Sequence, residues 1–483
     1  MSARTGEEYI TGLKEHPREV WIDGEQVQDV TTHPALRNGV RSVAALYDIQ
    51  HDPALRGAMT YTSPTTGEPV GLSFLMPQSV ADLERRRTMM AHWAWASCGM
   101  MGRSPDFLNV LFTAWAGAAD YFAQNRPEFK QNVLHYYAFL REQDVTLTHA
   151  LVNLQRRRTP ALVDTLHEDV ALTVVRETDA GVILQGSRLL ATLGPIADEL
   201  AVYHAGNHRF GADAQRQSFA FAIPCDTPGL KFLCRESFDV GRSHFNHPLG
   251  SRFEEMDATV FFNDVLVPWE RVFLLGDVDL CNNVGAATQS MAHSGHQVLT
   301  RYVVKAEFIL GLADLMVETL GSGSIPHVQE HVAELITHRD TLLACLRAAE
   351  ADAAPNQWGI MSPASEIKTR QTLGVWGRGL NLAYRTGVKI ALGTDSAVAP
   401  HSLANREVEL MVTKGGMTPR DALVAATKGG ADLLGIAADT GTLDPGKSAD
   451  LIAVAGDPLV DPAAVQHVDY VMVGGKPIPM KGQ

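Results

Sequence analysis

Cysteine is scarce in this chain and widely spaced. The 483 residues include five cysteines, at Cys98, Cys225, Cys234, Cys281 and Cys345. An extracellular disulfide framework normally has cysteines in denser patterns than this. We therefore expect reduced thiols and a cytoplasmic protein.

Long apolar runs and an excess of positive charge are also missing. No apolar run reaches the roughly 20 residues that span a bilayer, and the first residues have no apolar core typical of a signal peptide. Lys and Arg number 41 against 55 Asp and Glu, which gives a formal net charge of −14. Because nucleic acid is bound through basic surfaces, this composition predicts neither a nucleic-acid partner nor a membrane partner.

The spacing of apolar residues changes along the chain and predicts several domains. Short β-rich runs separated by turn residues occupy about residues 171–273, which indicates an all-β region. Before this region the spacing is mainly helical, and we predict helices at 4–16, 79–96, 106–126 and 127–143.

Helical spacing returns after the β-rich region, and we predict two long helices at 289–319 and 327–354. Beyond residue 354, Pro and Gly interrupt the pattern, and helix and strand patterns then alternate. Residues 387–395 have the pattern of a buried strand, and 418–434 that of a helix with an N-terminal cap. Two further short strands are predicted in DLIAVAG and YVMVGGKPI.

Several blocks in the first three quarters of the chain carry a resemblance to one enzyme family. They are MGRSPDFLN at 101–109, LTHALVN at 147–153, RETDAGVILQGSRLLATLGPIADE at 176–199, HPLGSRFEEMDATVFFNDVLVPWERVF at 247–273 and LRAAEADA at 346–353. In this order they resemble the large component of the two-component flavin monooxygenases, typified by 4-hydroxyphenylacetate 3-monooxygenase. The resemblance covers about residues 4–364.

The resemblance implies an α+β multidomain protein with an acyl-CoA dehydrogenase-like fold. It has a helical N-terminal domain at 1–150, a β-barrel middle domain at 151–280 and a helical bundle at 281–364. In the family the bundle continues beyond this point, so here it is truncated, and a segment of another kind occupies 365–483. Family members form tetramers, which implies a homo-oligomer.

The same resemblance implies a reaction and its participants. Members of this family hydroxylate a ring carbon beside a phenol hydroxyl, using oxygen and reduced FAD supplied by a separate reductase. A phenolate is more electron-rich than a phenol, so we expect a fixed cation and a hydrogen-bonding base beside the substrate. Arg103 and His149 match the family's catalytic residues in these two roles.

Three more residues match substrate-facing positions beside Arg103 and His149. Phe107 replaces a tyrosine that hydroxylases of the family often carry, so one hydroxyl group is missing. Ile196 and Ala197 put apolar groups into the predicted pocket. We therefore expect a different or larger phenolic substrate, or weaker activity.

The family's flavin contacts match His149, Ala150, Leu151, Gln155, Arg158 and Thr192. Two changes fall in the same segment, where Leu154 replaces a proline and Arg157 replaces an aspartate. The second change reverses a charge beside the cofactor. With part of the bundle missing as well, we predict weak FAD binding.

The end of the chain, about residues 366–480, is similar to amidohydrolases of the prolidase and imidazolonepropionase kind. GTDS at 393–396 puts Asp395 at the position where that family binds metal at the end of the last barrel strand. A catalytic metal needs several ligands, and no His-x-His pair is present in the sequence. We predict no metal site and regard the segment as a structural remnant.

Two alternative functions stay open at this point, a metal-dependent amidohydrolase and a non-catalytic fusion. Bound flavin would indicate the monooxygenase and bound zinc the hydrolase, whereas a non-catalytic fusion would bind neither. Because each part lacks surfaces that its family buries, we also predict poor solubility and protease cleavage within 354–378.

Overall fold

The computed structural model describes residues 3–153, 170–204, 211, 214–239, 244–364, 380–381, 383–385, 387–392 and 405–479. The chain divides into two compact units. The first holds residues 1–154 and 169–366, and the second holds 155–168 and 367–483. The finer division into four domains stays a prediction.

Helices make up much of the first part of the first unit. They are α1 Gly6–Glu15, α2 Arg37–Ile49, α3 Arg56–Met59, α4 Val80–Ala96, α5 Asp106–Gly117, α6 Ala119–Ala123 and α7 Pro127–Gln143. Thr5 and Ser79 form capping boxes that satisfy N–H groups in the first turns of α1 and α4. The predicted helical segments are confirmed, with the third divided into α5 and α6 at Ala118.

The strands of the first unit are β1 Glu19–Ile22, β2 Glu25–Val27, β3 Thr60–Thr62, β4 Pro69–Gly71, β5 Leu147–Ala150, β6 Val152–Asn153, β7 Thr173–Thr178, β8 Gly181–Thr192, β9 Glu199–Val202, β10 Phe219–Pro224, β11 Leu230–Cys234, β12 Asp257–Pro268, β13 Val272–Leu275, β14 Ala354–Pro355 and β15 Met361–Ser362. Seven of those described form one sheet in the order β2-β1-β11-β12-β8-β6, with β7 also paired to β8. The predicted β-rich region is confirmed, but β1 and β2 reach this sheet from within the predicted helical domain.

A second sheet positions one of the predicted catalytic residues. Its order is β13-β10-β9-β5, and β5 runs parallel to β9 with His149 opposite Ala201. Aromatic side chains fill the space between this sheet and α5. Trp115 of α5 lies 5.4 Å from the ring of Tyr203 and 6.1 Å from that of Phe273. The sheet and α5 therefore share a rigid aromatic core.

Three helices complete the first unit, α8 Val278–Ala287, α9 Ser290–Thr319 and α10 Pro326–Ala351. The long α9 and α10 confirm the two predicted helices and pack against each other. Toward its C-terminal end α9 exposes Leu312, Leu315, Met316 and Leu320, which are 47, 59, 56 and 73% exposed. No helix in the described residues is long and apolar enough to cross a membrane.

The second unit is small in its described part. It contains α11 Arg406–Thr413, α12 Pro419–Val424, a five-residue π-helix, α13 Gly430–Leu433 and an antiparallel sheet of β16 Leu451–Val454, β17 Val468–Val473 and β18 Lys476–Ile478. The predicted N-cap is confirmed, since the Thr418 hydroxyl accepts a hydrogen bond from the Asp421 N–H at 3.1 Å. The segment YVMVGGKPI at 470–478, which was predicted as one strand, contains the end of β17 and all of β18.

The strand predicted at 387–395 was wrong over residues 387–392, the part of it that the structure describes. Residues 388–392 form no strand, and Val388 is 57% exposed. A barrel strand is stabilised by a hydrogen-bonded neighbour on each side. Only a 112-residue segment, 367–478, is amidohydrolase-like, so this apolar run lacks the strands that would flank it in a complete barrel.

Candidate active site

The loop between α4 and α5 brings Arg103 to the edge of a cleft of about 380 Å³. The MGRSPDFLN block at 101–109 forms the second part of this loop and the first turn of α5. Apolar side chains in the cleft wall include Phe238 and Phe253. Its polar lining consists of Arg103, Thr192, Arg235, Glu254, Glu255 and Asp257.

The guanidinium of Arg103 is largely buried and lies over the ring of Phe107, with 4.2 Å between the guanidinium carbon and the ring centroid. Its Nη1 donates to the Gly102 carbonyl at 3.1 Å, while its buried Nε has no hydrogen-bond partner within the described part of the chain. Burial lowers the pKa of Arg103, and the nearby Glu255 carboxylate opposes that effect. Arg103 can therefore offer a donor and a positive charge to an anionic ligand.

His149 also contacts Phe107. The two ring centroids are 5.6 Å apart in an edge-to-face arrangement, and His149 Nδ1 lies 3.1 Å from the Tyr203 hydroxyl. Burial, reinforced by the charge of Arg103, lowers the pKa of His149 to about 3. The imidazole is therefore neutral at any ordinary working pH and can accept a hydrogen bond.

The structure thus groups Arg103, Phe107 and His149, although the first and last lie far apart in sequence. Ile196 and Ala197 lie elsewhere, fully buried and outside the cleft lining. Their carbonyl groups accept hydrogen bonds, from the Tyr9 hydroxyl at 2.7 Å and from the Arg18 guanidinium respectively. Their role in contacting substrate stays a prediction.

Among the predicted flavin contacts, Thr192 lines the cleft directly. Its hydroxyl donates to the Asp257 carboxylate at 2.6 Å, and Asp257 also pairs with Arg235 at 3.0 Å. Since the only hydroxyl proton of Thr192 is engaged there, its lone pairs can only accept a hydrogen bond from a ligand.

The other predicted flavin contacts are less exposed or lie outside the described residues. Ala150 is fully buried, and the Leu151 carbonyl accepts a hydrogen bond from Arg188 at 2.9 Å. Gln155 and Arg158 fall outside the described residues, as do Leu154 and Arg157.

Four residues of this site were not singled out from the sequence, namely Tyr203, Arg235, Glu255 and Asp257. Glu255 and Asp257 belong to the FEEMD stretch, which is part of a family block but had no predicted role. Its three acidic residues, at and just before the start of a buried strand, were the sequence feature that could have indicated a functional site.

Asp395, at the position where the amidohydrolase family binds metal, lies outside the described residues. Within the parts of the chain that are described, no group of three or more His, Cys, Asp or Glu residues could hold a metal ion.

Comparison with known proteins first defines the class of fold. A solved 4-hydroxybutyryl-CoA dehydratase from N. maritimus covers 84% of this chain and 81% of its own with a TM-score of 0.69. At 16% sequence identity this likeness shows the fold alone. The fold is acyl-CoA dehydrogenase-like, as the sequence predicts.

Family models then separate the two parts of the chain. The 4-hydroxyphenylacetate 3-hydroxylase N-terminal model matches residues 5–274, and the C-terminal model of that family matches 281–369. The amidohydrolase family model matches 367–478. The chain belongs to the 4-hydroxyphenylacetate 3-hydroxylase family and carries an amidohydrolase-like segment at its end.

Individual relatives agree with this assignment. The oxygenase component of 4-hydroxyphenylacetate 3-monooxygenase from Geobacillus sp. (strain PA-9) is 45% identical over 75% of this chain and 73% of its own length. The Thermus thermophilus protein of the same name is 46% identical over the same shares. A structure of such a component complexed with FAD and 4-hydroxyphenylacetate is 42% identical, with a TM-score of 0.71 over 86% of this chain and 80% of its own.

Proposed function

We propose that this protein is an FAD-dependent monooxygenase that hydroxylates a small phenol beside its hydroxyl group. The observation that carries this proposal is the contact of buried Phe107 with both Arg103, which lines the cleft, and buried His149, in a chain of this family. Relatives named 4-hydroxyphenylacetate 3-monooxygenase oxygenase component indicate the reaction class and a separate reductase that supplies reduced flavin.

The described residues fit a flavin at the cleft. Thr192 lines the cleft with its hydroxyl proton engaged by Asp257, so its oxygen can accept a hydrogen bond from a ring N–H. Phe238 and Phe253 add apolar surface against which a ring system can pack. Reduced FAD, when bound, supplies the activation of oxygen.

The remaining work falls to the chain's own side chains. Arg103 provides a permanent positive charge that favours the phenolate form of the substrate over the phenol. With Nδ1 accepting a hydrogen bond from the Tyr203 hydroxyl, neutral His149 can donate its Nε2–H to the phenolate oxygen, which stabilises the anion and fixes its orientation. Phe107 is buried and contacts both groups, so it adds apolar surface beside them that favours exclusion of water and strengthens both interactions.

The test is a single-turnover reaction. The purified chain is mixed with chemically reduced FAD, oxygen and 4-hydroxyphenylacetate, and we expect an ortho-dihydroxylated product. A parallel sample without the phenol should consume oxygen and release hydrogen peroxide only. Complete absence of hydroxylated product across a panel of substituted phenols would refute the proposal.

FAD binding is expected to be weak, as the substituted segment at 154–158 and the truncated bundle suggest. We expect reduced FAD to bind at least 10-fold less tightly than it binds the Geobacillus or Thermus relatives, a loss of about 1.4 kcal/mol. Anaerobic fluorescence titration measures this difference. Isolation of the chain with one tightly held FAD per protomer would contradict the expectation.

We also propose that copies of the chain associate through the exposed apolar stripe of α9, defined by Leu312, Leu315, Met316 and Leu320. Apolar residues at this helical spacing form a continuous face that is stabilised by burial. The double variant Leu312→Lys/Met316→Lys should then shift the protein toward the monomer in sedimentation velocity. Glu318→Lys, exposed on the same helix, should leave the distribution unchanged.

The amidohydrolase and non-catalytic alternatives receive less support than the monooxygenase. The family models and relatives above concern chiefly the first unit. Zinc that co-purifies in stoichiometric amount and disappears on Asp395→Ala would favour the hydrolase. Protease sensitivity between 354 and 378 stays a prediction, and most of that range lies outside the described residues.

We propose a cytoplasmic location. None of the five cysteines, all of which lie within the described residues, forms a disulfide bond, as suits a reducing compartment.

A further inference from the structure

The segment that precedes β12 holds the Arg103 loop by its backbone. The Glu255 carboxylate accepts hydrogen bonds from two consecutive N–H groups, those of Gly102 at 2.8 Å and Arg103 at 2.6 Å. One oxygen atom serves each donor. A carboxylate that binds two adjacent backbone donors restricts both peptide planes, so Glu255 controls the direction in which the Arg103 side chain leaves the loop.

The loop is anchored on its other side by α9. Arg301 Nη1 donates to the Gly99 carbonyl at 3.0 Å. Gly99 has a φ of +68°, and a Cβ built there would lie 2.8 Å from the backbone nitrogen of Lys305. Only glycine fits such a close approach in this conformation. Because Arg301 of α9 fixes the loop at Gly99, the position of the loop at Arg103 depends on the Glu255 hydrogen bonds.

The charges around Glu255 strengthen this role. Arg103 and Arg301 both interact favourably with its carboxylate and unfavourably with each other. Of the acidic neighbours in the same segment, Glu254 and Asp257 are already paired with Arg235. Loss of the Glu255 charge would therefore leave Arg103 facing the like charge of Arg301.

We propose that Glu255 is a positioning residue that directs the Arg103 guanidinium to the substrate oxygen. The proposal rests on the function proposed above, because it takes Arg103 as the group that recognises the phenolate. Glu255 acts through the loop backbone and through charge balance, without contact with the reacting atoms.

The test compares Glu255→Gln with Glu254→Gln. Glu254 is the matched control because it is the adjacent carboxylate but accepts its backbone hydrogen bonds from the Phe238 and Asp239 N–H groups, at 2.6 and 3.2 Å, and not from the Arg103 loop. The first measurement is the ratio of Kd values for phenylacetate and 4-hydroxyphenylacetate, determined with reduced FAD in the absence of oxygen. A general structural defect would weaken both ligands alike and leave this ratio unchanged.

We expect Glu255→Gln to lower the ratio by about 10-fold, the usual effect of losing a charge-assisted interaction, and Glu254→Gln to preserve it. The pH dependence provides a second readout. Burial raises the pKa of Glu255, so the wild-type preference for the hydroxylated ligand should fall as the pH drops through that pKa. Glu255→Gln should lack this dependence. An unchanged ratio in Glu255→Gln, or equal losses in both variants, would overturn the proposal.

Hydrogen–deuterium exchange tests the backbone contact independently of activity. Peptides covering 99–105 should exchange at least 10-fold faster in Glu255→Gln, and Glu255→Asp, which keeps the charge on a shorter side chain, should be intermediate. Unchanged exchange overturns the role of Glu255 even if the wild type hydroxylates phenols. Faster exchange in a protein whose wild type yields no hydroxylated product contradicts the proposed function and leaves the loop contact established.

Discussion

Replacing Arg103 with alanine is expected to lower the yield of hydroxylated product by about 100- to 1000-fold, the usual effect of removing a fixed group that stabilises developing charge. Oxygen consumption should continue, with hydrogen peroxide as its product, because Arg103 is proposed to recognise the phenolate rather than to support oxygen activation. The measurement is product formed against peroxide released per reduced FAD.

Two further variants separate charge from geometry at this position. Arg103→Lys keeps the charge but loses the planar donor fork that lies over Phe107, so we expect an intermediate yield. Arg41→Ala removes an exposed arginine of α2 and should behave as the wild type. Hydroxylation that survives intact in Arg103→Ala would remove this residue from the site.

The local features of the fold were predictable because they depend on local chemistry. Helix starts are marked by capping residues such as Thr5, Ser79 and Thr418, since their side chains accept hydrogen bonds from N–H groups only a few positions away. The alternating pattern of the β-rich region likewise depends on neighbouring residues. Helix α9 followed the predicted boundaries almost to the residue.

Features that depend on distant partners were not predictable in the same way. Glu255 binds backbone donors 152 and 153 positions away in sequence, and no spacing rule connects a carboxylate to an amide at that separation. The FEEMD stretch could be recognised as unusual, but its partners appear only once the loop is folded against it.

The strand predicted at 388–392 is absent because a strand depends on neighbouring strands. Its apolar pattern reports the environment that a complete barrel would provide, whereas the amidohydrolase-like segment spans only 367–478. A strand's hydrogen bonds are made with other strands, so the same residues adopt another conformation when those strands are missing. The apolar pattern here predicted neither the pairing nor the burial correctly, since Val388 is 57% exposed.

Replacing His149 with alanine is expected to move the pH dependence of hydroxylation toward alkaline values by about one unit or more. The wild-type imidazole is neutral because burial and Arg103 lower its pKa to about 3, so its one N–H group can donate to the phenolate throughout the working range. Without that donor the bound phenolate is less stable, and more of the reaction must come from substrate already ionised in solution. At pH 7 the rate should fall about 100-fold.

The direction of this shift distinguishes the proposed role from simple loss of packing. A pKa of about 3 is too low for His149 to take the phenol proton, so its effect depends on the hydrogen bond that its neutral N–H group donates to the phenolate beside Arg103. His149→Asn, which can still donate a hydrogen bond, should retain part of the rate and show a smaller shift. Tyr203→Phe removes the hydroxyl 3.1 Å from Nδ1 and should lower the rate less than His149→Ala, because it frees the ring without removing it. A rate loss in His149→Ala that is uniform across pH would show that the residue only fills space beside Phe107.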